Sequence, residues 1–261
     1  MTKGIGNVET VRQGSEVAVL DQPYYGYVYQ TSLVKDTKWN LGDQVILPDG
    51  RKYKYAKSAA ACISGQGCEF TATGYTAITT FVVSAAVGDT KVTNPAATHA
   101  LVAQDELRGG YAVIYDGTTN NVQFRGIIGN DAAAANVAFV IYLDGQLSEA
   151  VVAGTSKIET FQNPYAALQT GSSTSLAKAG IPATKVSAAS TYFWVQTEGF
   201  GWIAPQAGLT GKQIGACWRH DGSLDTVLNG VSGSANVLSQ YAGHIVEGDA
   251  TNNGPLFYLR G

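Results

Sequence analysis

Leu41-Gly42-Asp43-Gln44-Val45-Ile46-Leu47-Pro48-Asp49-Gly50-Arg51-Lys52-Tyr53-Lys54-Tyr55-Ala56-Lys57 is the stretch that decides the fold. Val45-Ile46-Leu47 is a short run of strand-favouring residues. Pro48-Asp49-Gly50 is turn chemistry: proline presets φ, aspartate bonds back to the backbone, and glycine accepts positive φ. The residues that follow alternate, with Tyr53 and Tyr55 on one face and Lys52 and Lys54 on the other. The stretch predicts a β-hairpin with one apolar and one cationic face.

The same grammar recurs outward from it. Val87-Gly88-Asp89-Thr90 echoes Leu41-Gly42-Asp43-Gln44, a hydrophobe-Gly-Asp turn that launches a strand. Two copies do not make a repeat protein. Gly110 to Ile128 reads as a second hairpin, with its loop between Asp116 and Asn121. Thr71 to Val83 is β-branched and aromatic. Asn136 to Leu143 is nearly all apolar, which predicts a central strand buried on both faces. Thr98 to Leu107 reads as one or two helical turns, and Ser148 to Glu159 as a weaker strand. Thr191–Val195, Gly199–Ile203, Gln213–Trp218, Val237–Val246 and Pro255–Leu259 add short strands, and small residues from Ser58 to Gly67 suggest a linker or turn. The expected fold class is all-β, an antiparallel β-sandwich or barrel of jelly-roll-like type, with an extended N-terminal arm.

Residues 1–40 differ from the rest. Pro23 and the alternating Tyr25, Tyr27 and Tyr29 suit an extended segment. It reads either as an edge strand of the main fold or as an arm lying on a neighbouring subunit. Residues 41–261 form the β-rich body, with two sub-domains dividing near 160–180 as one option. Thr170 to Lys178 is the most linker-like run.

The chain has 261 residues, enough for a sizeable core. Charged residues are 14% of it, well under the roughly 25% of an average soluble domain. So sparse a charge predicts a surface partly covered by a partner or by copies of itself. A net charge of −3 argues against nucleic acid as the main partner. No apolar run approaches the length of a membrane-spanning helix. The N-terminal residues lack the apolar core of a signal peptide, so synthesis in a cytoplasm is expected. Cys62, Cys68 and Cys217 are too few and oddly numbered for a disulfide framework.

Candidate chemistry is thin. Gly230-Val231-Ser232-Gly233-Ser234 misses the nucleophile-elbow pattern, and His99, His220 and His244 have no recognisable nucleophile partner. Gly4-Ile5-Gly6 and Gly65-Gln66-Gly67 lack a phosphate loop's Lys-Ser/Thr. Cys62, Cys68, Cys217 and His220 supply zinc-type atoms, but one pair is too wide and the pairs are far apart in sequence. The oxygen-rich runs Glu247–Gly254 and Asp221–Asp225 lack calcium-loop spacing. Asp105 with Glu106, Glu198, and Asp221 with Asp225 are possible carboxylate pairs. Trp194, Phe200, Trp202 and Trp218 suit a sugar platform or, more simply, a β-sandwich core. No catalytic residue, cofactor or metal is expected. Arg51, Lys52, Lys54 and Lys57 lie within seven positions. They read as the solvated face of an edge hairpin or as a docking surface for an acidic partner.

The succession of motifs carries a resemblance. Gly42 to Lys57 comes first, then Val87–Thr90, Gly109 to Ile127, Asn163-Pro164-Tyr165, Tyr192 to Gly199 and the closing Pro255–Leu259. In this order the chain from about Leu41 resembles the capsid decoration, or cement, proteins of tailed bacteriophages. The resemblance implies a non-enzymatic virion protein on the capsid exterior, made in the host cytoplasm, that binds the major capsid protein, as a homotrimer, and stabilises the shell. Partner contacts are then expected at Tyr24, Tyr25, Tyr27 and Tyr29, and at Arg51, Lys52 and Lys54. The alternative is a carbohydrate- or receptor-binding module of a phage tail or fibre, which requires exposed aromatics beside Asp or Asn.

Overall fold

The computed structural model describes residues 17–19, 26–71, 74–96, 99–117, 121–172, 176–204, 215–227, 237–248 and 254–260. Its regular structure is nearly all β, in two curled antiparallel sheets that form half-barrels. The chain divides into two compact units. Unit 1 is Met1–Thr71 with Tyr165–Gly261, and unit 2 is Ala72–Pro164. The second unit is thus an insertion in the first, with divisions at 71/72 and 164/165.

In chain order, unit 1 begins with β1 (Val17–Val19), β2 (Gln44–Ile46), β3 (Lys52–Lys57) and β4 (Cys68–Phe70). Unit 2 holds β5 (Gly74–Thr80), β6 (Lys91–Asn94), β7 (Tyr111–Tyr115), β8 (Val122–Asn130), β9 (Phe139–Leu143) and β10 (Lys157–Phe161). Unit 1 then resumes with β11 (Leu168–Thr170), β12 (Lys178–Pro182), β13 (Tyr192–Trp202), β14 (Gly215–Arg219), β15 (Leu224–Thr226), β16 (Val237–Glu247) and β17 (Leu256–Leu259).

The eleven-stranded sheet of unit 1 runs β1-β2-β3-β13-β17-β16-β14-β15, with β12 joining β13 to β4 and β4 to β11. The β2–β3 hairpin forms as its residues dictate. Leu47 N–H donates to Arg51 O at 2.8 Å, Gly50 N–H to Leu47 O at 2.9 Å, and Arg51 N–H to the Asp49 carboxylate at 3.1 Å. Gly50 takes φ +86°. Tyr53 and Tyr55 turn inward onto Val28, Val45, Leu47 and Trp194. Burying each such side chain stabilises by roughly 1.5–3 kcal/mol. β3 lies between β2 and β13 and is not an edge strand. Its lysines therefore guard no open edge, which corrects the edge-hairpin reading.

β13 joins the two halves of this sheet. Its Tyr192–Glu198 stretch pairs with β3, and its Gly199–Trp202 stretch with β17. A bulge between Gln196 and Glu198, followed by Gly199 at φ +100°, makes the switch. The sequence predicts two strands here, Thr191–Val195 and Gly199–Ile203, where the structure has one. Ser58 to Gly67 is no free linker either: Ser58 bridges to Leu168 and Cys62 to Val186.

Residues 17–19 add to β2 in parallel. Gly26–Tyr29 forms a 3-10 turn, not the extended run that the tyrosine alternation predicts. Val28 in that turn is fully buried, and the Tyr27 ring stacks on Trp39. Tertiary packing overrides the local pattern here.

Unit 2 is a six-stranded sheet in the order β5-β10-β7-β8-β9-β6. β7 and β8 are the hairpin expected over Gly110–Ile128. Ala112, Ile114, Ile127, Ile141, Leu143 and Ile158 lie in its single core. β9 is interior to the sheet but buried on one face only, because Tyr142 is exposed between buried Ile141 and Leu143. Residues 99–107 form no helix: Val102 bridges to Ala133, and Asp105 turns the chain at φ +58°. The chain enters and leaves this unit on adjacent strands, β5 and β10.

Candidate binding surfaces

The tyrosines proposed for partner contact fall into three groups. Tyr24 and Tyr25 lie outside the described residues. Tyr27 is half-buried and packs edge-on against Trp194 at 5.8 Å, so its ring supports the core. Tyr29 is 45% exposed, and its hydroxyl accepts from Arg51 Nη1 at 3.0 Å.

The cations of the hairpin are engaged within unit 1. Arg51 Nε donates to Asp49 Oδ2 at 2.6 Å, and its Nη1 donates to the Tyr53 hydroxyl at 3.0 Å. Lys52 Nζ pairs with Glu198 Oε2 at 2.6 Å. Lys54 Nζ sits 5.0 Å above the Tyr165 ring, and burial lowers its pKa from the ordinary lysine value. The structure does bring Tyr29 and Arg51 together. It leaves neither Lys52 nor Lys54 as a bare charge, so an acidic partner would have to compete with contacts already made.

The other candidate groups are also accounted for locally. Glu106 closes its own turn by accepting from Ala103 N–H at 2.7 Å. Asp225 pairs with Arg219 at 2.7 Å, and Asp221 accepts from the hydroxyl of Ser223 at 2.6 Å. Cys62, Cys68 and Cys217 are buried thiols, and burial pushes the pKa of Cys68 well up and that of Cys217 up. Raised thiols are poor nucleophiles and poor ligands. No group of metal-ligating side chains gathers among the described residues. The Gly230–Ser234 run lies outside the described residues, as does most of the Glu247–Gly254 loop.

One buried constellation has no local signature in the sequence. Glu69 on β4 faces Gln169 on β11 and Lys178 on β12, in register on either side. Lys178 Nζ donates to Glu69 Oε2 at 2.7 Å and to His220 O at 2.8 Å. Gln169 Nε2 donates to Glu69 Oε1 at 2.9 Å, and Ser172 N–H to Oε2 at 3.2 Å. Both charged side chains are 0% exposed. Gly171 makes the room, since a Cβ there would lie 2.3 Å from Lys178 Nζ. The only sequence signal was a lysine and a glutamate in otherwise apolar strands.

The aromatics divide between core and surface. Trp194 and Trp218 are core, at 3% and 2% exposure. Phe200 and Trp202 are outward on β13, at 48% and 54%. Phe200, Tyr258 and His244 are in register across β13, β17 and β16. The Tyr258 ring meets Phe200 edge-on at 5.2 Å and stacks on His244 at 5.5 Å. This is an outward aromatic row on unit 1.

Unit 2 has its own outward face. Across β10, β7 and β8 the register aligns Lys157–Tyr115–Val122 in one row, Glu159–Val113–Phe124 in the next, and Phe161–Tyr111–Gly126 in a third. Alternation puts all of these on the side away from buried Ile158, Ala112, Ile114 and Gln123. Val122 is 53% and Phe124 59% exposed, and Tyr111 stacks on Phe124 at 5.1 Å. Period-2 alternation alone did not find this face, because both faces of β7 are apolar.

Comparisons with family models, with curated proteins and with solved structures find no match to this chain.

Proposed function

We infer that this protein is a non-enzymatic structural protein that binds the outer surface of a tailed-phage capsid and stabilises the shell. The observation that carries the reading is the pair of outward apolar rows, one on each unit, in a chain with only 14% charged residues. Rigid sheets that leave Phe124, Val122, Phe200 and Trp202 in water are surfaces suited to being covered by protein. The sequence resemblance supplies the partner: the major capsid protein, approached by a homotrimer on the virion exterior. Weak contacts repeated over a symmetric lattice add up through multivalency. Mixing the purified protein with capsids that lack it, followed by cryo-EM, tests the reading. Stoichiometric density on the shell is expected, and a bare shell at saturating protein overturns it.

A second reading is favoured by one observation. The exposed Phe200–Tyr258–His244 row, with Trp202 beside it, has the flat aromatic character of a sugar platform. A carbohydrate- or receptor-binding module of a phage tail or fibre would bind glycans through it. Glycan-array binding lost on Trp202→Ala, with no capsid binding, selects that reading.

A further inference from the structure

We propose that the outward face of unit 2 pairs with the same face of a second copy of this chain, about a two-fold axis. The argument is its self-complementarity. Lys157 and Glu159 are two residues apart on β10, so their side chains share the outward face roughly 7 Å apart. Neither has an ion-pair partner among the described residues. Each begins a row: Lys157 leads to Tyr115 and Val122, and Glu159 leads to Val113 and Phe124. Consider a two-fold axis lying between two such faces and crossing the strands level with Ile158. It sets the first row of one copy over the second row of the other. Lys157 then meets Glu159 of the second copy, and Glu159 meets its Lys157. Along the same rows Tyr115 lies over Val113, and Val122 over Phe124, large against small. One operation satisfies both charges and covers the apolar side chains, as an isologous interface requires. A chemically different partner would have to present this same alternating pattern by coincidence.

The contact spans three strands spaced about 4.8 Å apart. It belongs with the small interfaces, below about 1,200 Å² in total, that associate weakly in free solution. It becomes effective where copies are already held side by side. The pairing does not depend on the capsid reading. It is measured on the protein alone, so the two can fail separately.

Sedimentation velocity on the full chain over a wide concentration range is the test. The expected result is a reversible doubling of the basic particle mass as concentration rises. Phe124→Glu should abolish the doubling, and since Phe124 is largely exposed the fold should survive, as far-UV circular dichroism will show. Lys157→Glu alone and Glu159→Lys alone each oppose like charges across the axis, and each should weaken pairing by about tenfold or more. The double exchange, Lys157→Glu with Glu159→Lys, should restore it. No doubling at any concentration overturns the proposal. So does doubling that Phe124→Glu leaves intact, or a double exchange no better than the single reversals.

Discussion

Lys178 and Glu69 show how much one residue pair can cost. A lysine with no exposed side-chain surface is tolerable only with its carboxylate and carbonyl in place. Glu69→Ala should therefore destabilise by about 3–5 kcal/mol, because it strands a buried cation. Lys178→Met combined with Glu69→Leu should be close to neutral, since no charge is then left unpaired. Urea unfolding of the single and double variants measures both. Asp221 makes a pH prediction. Burial works to raise its pKa, but the hydroxyl and N–H of Ser223, with Arg219 and His220 nearby, outweigh it and hold the carboxyl below its usual range. Folded protein then releases this proton more readily than unfolded protein does. The contribution is fully present above the unfolded value near pH 4, and it is lost as pH falls through the lower folded value. Asp221→Asn should flatten that acid limb of the stability curve, leaving the neutral region parallel to wild type. Acidic side chains also set turns. Asp43 accepts from Asn40 N–H at 2.7 Å, and Asp89 from Ala86 N–H at 2.8 Å. Glu106 does the same for Ala103. Each follows a residue at positive φ: Gly42, Gly88 and Asp105. The Gly-Asp echo in the sequence was therefore a real structural unit, and its third copy was hidden because aspartate replaced the glycine.

The β13 strand tests how far such local chemistry reaches. Gly199 sits at φ +100°, and a Cβ there would come within 2.8 Å of Arg51 Cα. Gly88 has φ +91° and open space around it. Gly88→Ala should cost about 1–2 kcal/mol from backbone conformation alone. Gly199→Ala should cost more, because the hairpin backbone must also move. Thermal unfolding of the two variants checks the order, and equal losses would refute the close-approach argument. The hairpins at Gln44–Lys57 and Tyr111–Asn130 were legible because their turns are written in a few adjacent residues. The switch of β13 from β3 to β17 was not, because a glycine in an aromatic run looks like a strand end. The candidate surface was half legible. Tyr29 and Arg51 do lie together, whereas the salt bridge of Lys52 to Glu198 spans a sequence gap that no local pattern shows.

Unit 2 is inserted between two segments of unit 1. Thr71 N–H donates to Ala167 O at 3.0 Å, so the strands leaving and re-entering unit 1 are hydrogen-bonded neighbours. Replacing residues 72–164 with a short Gly-Ser linker should leave unit 1 folded, and residues 72–164 should fold alone on their own core. Near-UV circular dichroism and urea unfolding of the two pieces check this, and loss of cooperative unfolding in either would refute it. The units also differ in charge. Residues 72–164 contain eight acidic and four basic side chains, a net −4, against −3 for the whole chain. The nested order has a consequence during synthesis. Tyr53 and Tyr55 on β3 need Trp194 on β13 to close their cluster, and the ribosome reaches that residue only after the whole of unit 2. At roughly 5–20 residues per second the first hairpin waits on the order of ten seconds with its tyrosines uncovered. Unit 2, contiguous in the chain, can be complete well before then. Nascent unit 1 therefore carries an uncovered aromatic face throughout the synthesis of unit 2, whereas the residues of the unit 2 core all emerge in one uninterrupted run.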